Sequence, residues 1–277
     1  MDKFNDGHLK TVLIIGGNSM IGKYVVQRFA GEEWNVLATY SDKRKAPKKT
    51  RKNLQFGVVD LENHKSIKKG IKKILKKHST VDVLINCAGI VLMGATEAFS
   101  EKQIHRQMNV NFLGVVNTIQ EVLPVMRKQK SATIINISSL CGLVTFPMLS
   151  LYHGSKWALE GFTESIYYEL EPFNIKVKLI EFGGVKEDGL TSSVILPDKK
   201  LFEYEEFQQR IDFRECFPSF SSPEEAAELI YNAAVDDSNK LRYIMGKEVL
   251  TYVNERQNFA TDESYLDKMK TRVLRKE

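Results

Sequence analysis

Val12-Leu13-Ile14-Ile15-Gly16-Gly17-Asn18-Ser19-Met20-Ile21-Gly22 is the stretch that decides the fold. Four apolar residues without polar alternation read as a strand covered on both faces, as in a parallel sheet. A glycine-bearing turn follows at once, and Lys23 to Ala30 reads as a helix. Strand, glycine-rich turn and helix, in that order, are the context a dinucleotide fingerprint requires. Glycines there let main chain approach a pyrophosphate, which then rests on free N–H groups at the helix start.

Outward from this unit the same alternation recurs. Strands are predicted at Trp34 to Tyr40, Leu54 to Val59 (ending in Asp60-Leu61), Val81 to Asn86, Thr133 to Ser138, Ile175 to Ile180 and Leu241 to Gly246. Helices are predicted at Ser66 to His78, Glu101 to Lys128, Leu151 to Glu171 and, behind Ser222-Pro223-Glu224-Glu225, to about Val235. The pattern predicts an α/β fold, a doubly wound parallel sheet of the Rossmann-like kind in one domain. Its bounds are read as 11–250, with a lead at 1–10, an irregular region at 187–220 and a charged tail at 251–277.

In the helix from Leu151, apolar residues return at three- and four-residue intervals: Trp157, Leu159, Phe162, Ile166 and Leu170. Tyr152 and Lys156, four apart, share one face of it. An ammonium near a phenol favours phenolate and lowers a pKa that starts near ~10. Such pairs also occur on many solvated helices. Ser139 shifts the balance, since it follows the apolar run Thr133-Ile134-Ile135-Asn136-Ile137-Ser138 and precedes Gly142. A buried strand ending in hydroxyls delivers them to the sheet rim, where open α/β folds bind ligands.

Asn86-Cys87-Ala88-Gly89, Val110-Asn111-x-x-Gly114, Asn136-Ile137-Ser138-Ser139 and Tyr152-x-x-x-Lys156 occur in this order. Through them the chain resembles the short-chain dehydrogenase/reductase family, from roughly Thr11 to Gly246. The resemblance implies an oxidoreductase that interconverts a carbonyl and an alcohol by hydride transfer. It makes Tyr152 the general acid/base and Lys156 the group that depresses its pKa and bonds the nicotinamide ribose. Ser139 would polarise the substrate oxygen, and Asn111, at a helical kink, would hold a water of the proton relay. It assigns cofactor contacts to Gly16, Asn18, Ser19, Met20, Ile21 and Gly22, to Asp60 (at the adenine) and Leu61, to Asn86, Ala88 and Gly89, to Tyr152 and Lys156, and to Gly183 and Val185.

The chain departs from the family at several places. Thr-Gly-x-x-x-Gly-x-Gly maps its middle glycine to Met20, and the Gly-x-x-Gly-x-x-Gly form maps it to Ser19. Cys87 stands for an Asn, Phe182 for a Pro and Glu187 for a Thr, with Thr191 as a stand-in. Tyr40 and Ser41 replace the Asp of NAD-preferring relatives, and Asp42-Lys43-Arg44-Lys45 follows, which favours NADP(H). NAD(H) stays open through Asp42, and the lysines also fit a solvated loop. Because these departures crowd the cofactor site, a cofactor-sensing or regulatory protein on the same scaffold is the alternative. The run from Ser-Pro-Glu-Glu to Leu-Arg-Tyr resembles relatives that act on bulky or apolar alcohols and ketones.

Charged residues are 27% and hydrophobic ones 43% of the 277, a globular composition. A net charge of +5 without a reader motif argues against nucleic acid. Ile67, Ile71, Ile74 and Leu75 share a helical face among lysines, which reads as packing on the sheet rather than a membrane surface. No apolar run approaches the about 18 residues that span a bilayer. Cys87, Cys141 and Cys216 are far apart and lack metal spacing, so no metal and a reducing compartment are expected. With a polar start, the expected location is cytoplasmic. The expected partners are a small-molecule alcohol or ketone and further copies of the chain, as a homodimer or homotetramer, since family members pair through the helices that carry Asn111 and Lys156.

Overall fold

A computed structural model describes residues 9–42, 44, 52–186 and 193–275. Seven parallel strands form the central sheet: β1 (Lys10–Ile15), β2 (Trp34–Tyr40), β3 (Leu54–Val58), β4 (Val83–Asn86), β5 (Ala132–Ile137), β6 (Ile175–Phe182) and β7 (Arg242–Met245). Their spatial order is β3-β2-β1-β4-β5-β6-β7. The order reverses between β1 and β4, which opens a crevice at the carboxyl ends of these strands.

Alternate residues of each strand feed opposite faces. Val12 and Ile14 of β1 join Ile85, Ile135 and Ile180 in one apolar layer, covered by α1 (Gly22–Ala30) and, much later in the chain, by the helix at Pro223–Val235. Leu13 and Ile15 join Leu84, Ile134 and Val177 in the other. That layer is covered by α2 (His64–Lys77), by α3 (Glu101–Met108) continuing into α4 (Gly114–Gln129), and by α5 (Ser150–Leu170). Ile67 and Ile71 of α2 are fully buried while its lysines face outward, so packing on the sheet accounts for its apolar face.

The predicted single helix from Glu101 to Lys128 is interrupted. Asn109–Leu113 forms a π-turn between α3 and α4, the kind of bulge often found at functional sites. Five further α-helices follow among the described residues: α6 (Glu205–Arg210), α7 (Phe213–Cys216), α8 (Pro223–Val235), α9 (Lys247–Asn258) and α10 (Asp262–Val273). Ser222 and Glu225 close a capping box at the start of α8. Lys178, fully buried on β6, donates to the carbonyls of Ala233 (2.9 Å) and Asp236 (2.5 Å) at the end of α8. A helix C-terminus is where an ammonium belongs.

The segment read as a charged tail is folded through residue 275. Tyr252, Tyr265, Met269 and Val273 of α9 and α10 are buried in a third apolar cluster with Leu140, Phe146 and Leu149. The charges that suggested a tail lie on the outer faces, where Arg272 pairs with Glu255 at 2.6 Å.

Candidate active site

Both outer glycines of the turn are compelled by space. Gly16 has φ +85°, and a Cβ there would stand 2.7 Å from Ala88; a Cβ on Gly22 would stand 2.0 Å from the Gly16 carbonyl oxygen. The missing middle glycine is replaced by a hydroxyl. Ser19 Oγ donates to the Cys87 carbonyl (2.9 Å) and accepts from the Gly22 N–H (3.0 Å), tying the turn to the end of β4. Met20 faces the crevice and Asn18 is exposed at the tip of the turn. Ile21, the first residue before α1, makes no side-chain cap; the first N–H groups of the helix are taken within the turn, Gly22 by Ser19 Oγ, Lys23 by the Ser19 carbonyl at 3.3 Å and Tyr24 by the Ile21 carbonyl at 3.0 Å.

The other sequence-assigned cofactor residues divide. Ala88, Gly89, Gly183 and Val185 line a cleft of about 140 Å³ together with Ser19, Met20, Ile21, Tyr152 and Lys156. Ser41 is exposed. Arg44 is engaged: its Nε donates to Asp42 Oδ2 at 2.8 Å, and its main-chain N–H to Oδ1 at 2.8 Å. The carboxylate that kept NAD(H) open thus has a cationic partner. Lys43, Glu187 and Thr191 lie outside the described residues. Asp60 bonds the Glu62 N–H at 3.1 Å at the end of β3. Three side chains turn inward instead. Tyr40 is buried edge-on to Phe56, Leu61 is buried, with its Cβ beside Gly114, and Asn86 donates to Asn136 Oδ1 at 2.8 Å within the sheet. Phe182, at the family's proline position, is 3% exposed in the core.

Three of the four sequence-predicted catalytic residues, Ser139, Tyr152 and Lys156, line one cleft, and Asn111 lies behind it, bonded to Ile90 and Ser155. Ser139 follows β5, and its Oγ accepts from the Cys141 N–H at 3.1 Å. Asn111, in the π-turn, accepts from Ile90 N–H (2.9 Å) and donates to Ile90 O (2.9 Å) and Ser155 Oγ (3.1 Å). Lys156 Nζ donates to the Ile137 carbonyl at 2.7 Å. Tyr152 and Ser139 both face a cavity of about 700 Å³ whose other walls are mostly apolar: Met20, Val91, Met93, Leu149, Val194, Phe213, Phe217 and Phe220.

The electrostatics around the Tyr152 phenol run opposite to the expected direction. Burial, reinforced by the nearby Cys141, pushes the Tyr152 phenol well above its ordinary pKa, against the Ser139 hydroxyl. Lys156 does not reverse this, because its ammonium is turned to Ile137. Burial lowers Lys156 itself to about 8, against the pull of Glu160, Cys141 and Cys87. Burial likewise holds the Cys87 thiol up at about 11 and Cys141 up at about 12, so neither is a nucleophile near neutral pH. Among the described residues no cluster has the makings of a metal site, and no helix is long and apolar enough to cross a membrane.

Sequence reasoning missed His153, Gln107 and Glu160. The His153 ring is 2.8 Å from the Cys141 carbonyl through Nδ1, and Nε2 accepts from the Phe146 N–H at 2.8 Å. Those partners set the tautomer and fix the loop behind Ser139. Gln107 bonds Leu92 N–H and Ile90 O at 2.8 and 2.9 Å, beside Asn111. The only signal for any of the three was a polar residue on an otherwise packed helix face.

The family model for short chain dehydrogenase matches residues 10–194. An uncharacterised oxidoreductase of Schizosaccharomyces pombe is 33% identical over 208 residues, 73% of this chain and 85% of that protein. A 3-ketodihydrosphingosine reductase of Bacteroides thetaiotaomicron is 39% identical over 172 residues, 62% of this chain and 62% of that protein. Among solved structures, ElxO with NADP bound superposes with a TM-score of 0.74 at 26% identity, over 88% of this chain and 100% of that one.

Proposed function

Because the chain belongs to the short-chain dehydrogenase family, acting on CH–OH or C=O groups with a nicotinamide cofactor, we propose that it reduces the ketone of a bulky apolar molecule with NADPH. The observation that carries this reading is the placement of Ser139 and Tyr152 in a cavity of about 700 Å³ whose remaining lining is mostly apolar, with Lys186 and Ser193 as its other polar side chains. A ketone oxygen between them meets two donors, while the apolar bulk fills the remaining space. The Bacteroides relative, a 3-ketodihydrosphingosine reductase, supports reduction of a ketone.

The nicotinamide cofactor, when bound in the adjoining cleft, supplies the hydride. The protein's residues do the rest. Ser139 and Tyr152 hold the carbonyl oxygen and stabilise the charge that grows on it. Tyr152 then gives its proton to the alkoxide, yielding the alcohol. A phenol raised by burial keeps that proton at neutral pH, which suits reduction rather than oxidation. Lys156, with a pKa of about 8, is mostly ammonium there, a charge held on the Ile137 carbonyl at 5.8 Å from the Tyr152 ring centre. Asn111 ties Ile90 to Ser155, on the helix that carries both groups.

Preference for NADPH is supported by Arg44 at the end of β2, by its hold on Asp42, and by the NADP bound to ElxO. We place the protein in the cytoplasm as a homo-oligomer, in keeping with three free, buried thiols. The test is reduction of a panel of long-chain and polycyclic ketones, followed by NADPH absorbance. Turnover of apolar ketones over small polar ones supports the reading. NADPH binding without turnover on any of them favours the cofactor-sensing alternative.

A further inference from the structure

We propose that Glu160 is a positioning residue for the reaction: it clamps the turn that presents Ser139 and faces Lys156 with a buried carboxylate one helical turn away. Its kinetic consequences rest on the reduction proposed above; its effect on Lys156 does not.

Glu160 lies four residues after Lys156 on α5 and is 6% exposed. One carboxylate oxygen accepts from the Ser138 hydroxyl, and the other accepts from Arg242 Nη1 of β7 at 2.5 Å. The same guanidinium bonds Glu181 of β6 and, through Nη2 at 3.0 Å, Glu164. Gly142 fits against this carboxylate only because it lacks a side chain. A Cβ there would stand 2.9 Å from both Glu160 Cγ and Ser138 Oγ. Glu160 therefore touches both ends of the Ser138-to-Gly142 segment, with Ser139 between them.

The electrostatics point the same way. Lys156 is faced by Tyr152 and Glu160 from α5, by Cys141 from the turn after β5 and by Cys87 from the turn after β4. Both thiols are protonated at neutral pH, which leaves Glu160 as the anion offsetting the burial of the ammonium. Glu160 is faced in turn by Ser138, Arg242, Glu181, Glu164 and Lys156. Burial raises its pKa, while Ser138, Arg242 and Lys156 hold it toward the carboxylate. Glu181, fully buried beside it with one oxygen lacking a partner, has a pKa raised to about 7 by burial and by Glu160. Arg242 is bonded to Glu160, Glu181 and Glu164 together, and Glu160 is the one of the three that also reaches the Ser138 hydroxyl.

Glu160→Gln tests this, since it keeps the volume and an acceptor for Ser138 but removes the charge. The readout is the titration of Lys156 by carbon-13 NMR of lysine-labelled protein, with the resonance identified by its loss in Lys156→Arg. The Lys156 midpoint should fall by about one pH unit. The basic limb of the reduction profile should fall with it, and kcat should drop about tenfold with a smaller change in KM. Glu164→Gln, on the exposed side of Arg242, should leave the midpoint where it is. A folded Glu160→Gln protein with the parental Lys156 midpoint overturns the proposal. Glu160→Asp keeps the charge on a shorter arm, so the midpoint should hold while kcat falls. Parental kcat in Glu160→Asp refutes the clamp, even if Glu160→Gln does not fold. A shifted Lys156 midpoint in a protein that reduces no ketone supports the electrostatic role and sinks the proposed function instead.

Discussion

Lys156 Nζ donates to the carbonyl of Ile137 at 2.7 Å and stands 5.8 Å from the centre of the Tyr152 ring. The two groups share a helical face without bonding each other. The ammonium is anchored by the last residue of β5, the strand that also leads into Ser139, so strand and helix are locked at the point where both meet the crevice. This geometry yields separable consequences for the phenol and the ammonium.

Tyr152→Phe removes the proton donor and little else, since the ring packs against the third apolar cluster in either form. Turnover should fall by about 10²–10⁴. NADPH affinity, measured by fluorescence titration, should stay within about twofold. Full turnover in this variant on a ketone the parent reduces would refute the mechanism.

The pH profile follows from the signs. Reduction needs the phenol protonated and the ammonium charged, and both protons are lost as pH rises. With Lys156 near 8, kcat should be flat below that value and decline above it. Alcohol oxidation needs the phenolate and should rise over the same range. A reduction rate that climbs from pH 7 to 9 would exclude Tyr152 as the acid.

Much of this was legible in the sequence, for identifiable reasons. The seven strands announce themselves because a parallel sheet covered on both faces demands unbroken apolar runs such as Val12 to Ile15. Tyr152 and Lys156 are readable because helical spacing fixes which side chains share a face. What they do to one another was not readable. Whether a lysine lowers a phenol's pKa depends on where its ammonium points and on how much water remains, and neither is a property of spacing. That the Tyr40 and Asn86 side chains turn inward was not readable for a similar reason: pattern locates a strand's end, but the core decides whether the last side chain faces solvent. The π-turn at Asn111 left only the trace of an amide in mid-helix.

Ser19→Ala breaks the bonds to Cys87 O and Gly22 N–H. Net hydrogen-bond values of about 1 kcal/mol each suggest a stability loss of about 1–2 kcal/mol. Thermal melting should show this together with about three- to tenfold weaker NADPH binding. Unchanged binding would mean that the turn holds its shape without the hydroxyl.

Replacing Lys43 and Arg44 together by Ala should weaken NADPH by about tenfold and leave NADH nearly unaffected, because only NADPH carries the 2′-phosphate. Asp42→Ala should move the two affinities apart in the other direction, since it releases Arg44 from its carboxylate. Isothermal titration with both cofactors checks this. Equal losses for NADPH and NADH in the double variant would assign the preference elsewhere.

The outer face of α5 predicts how copies of the chain pair. Trp157 is 41% and Tyr168 66% exposed on it, and Leu113, in the π-turn before α4, is 45% exposed. A Cβ added to Gly154 or Gly161 would meet nothing within 4 Å. Gly154 before Trp157 and Gly161 between the two aromatics leave room for a second α5 to approach closely, and two-fold pairing of one such face on itself is a common solution. Gly161→Arg isolates this contact. Within one chain the new side chain clashes with nothing, and leaving glycine favours a helix by up to about 1 kcal/mol. The variant should therefore melt no lower as a folded chain. Light scattering at micromolar concentration should show at least a dimer for the parent and a monomer for Gly161→Arg. A parent that is already monomeric, or a variant that still pairs, would remove α5 from the interface.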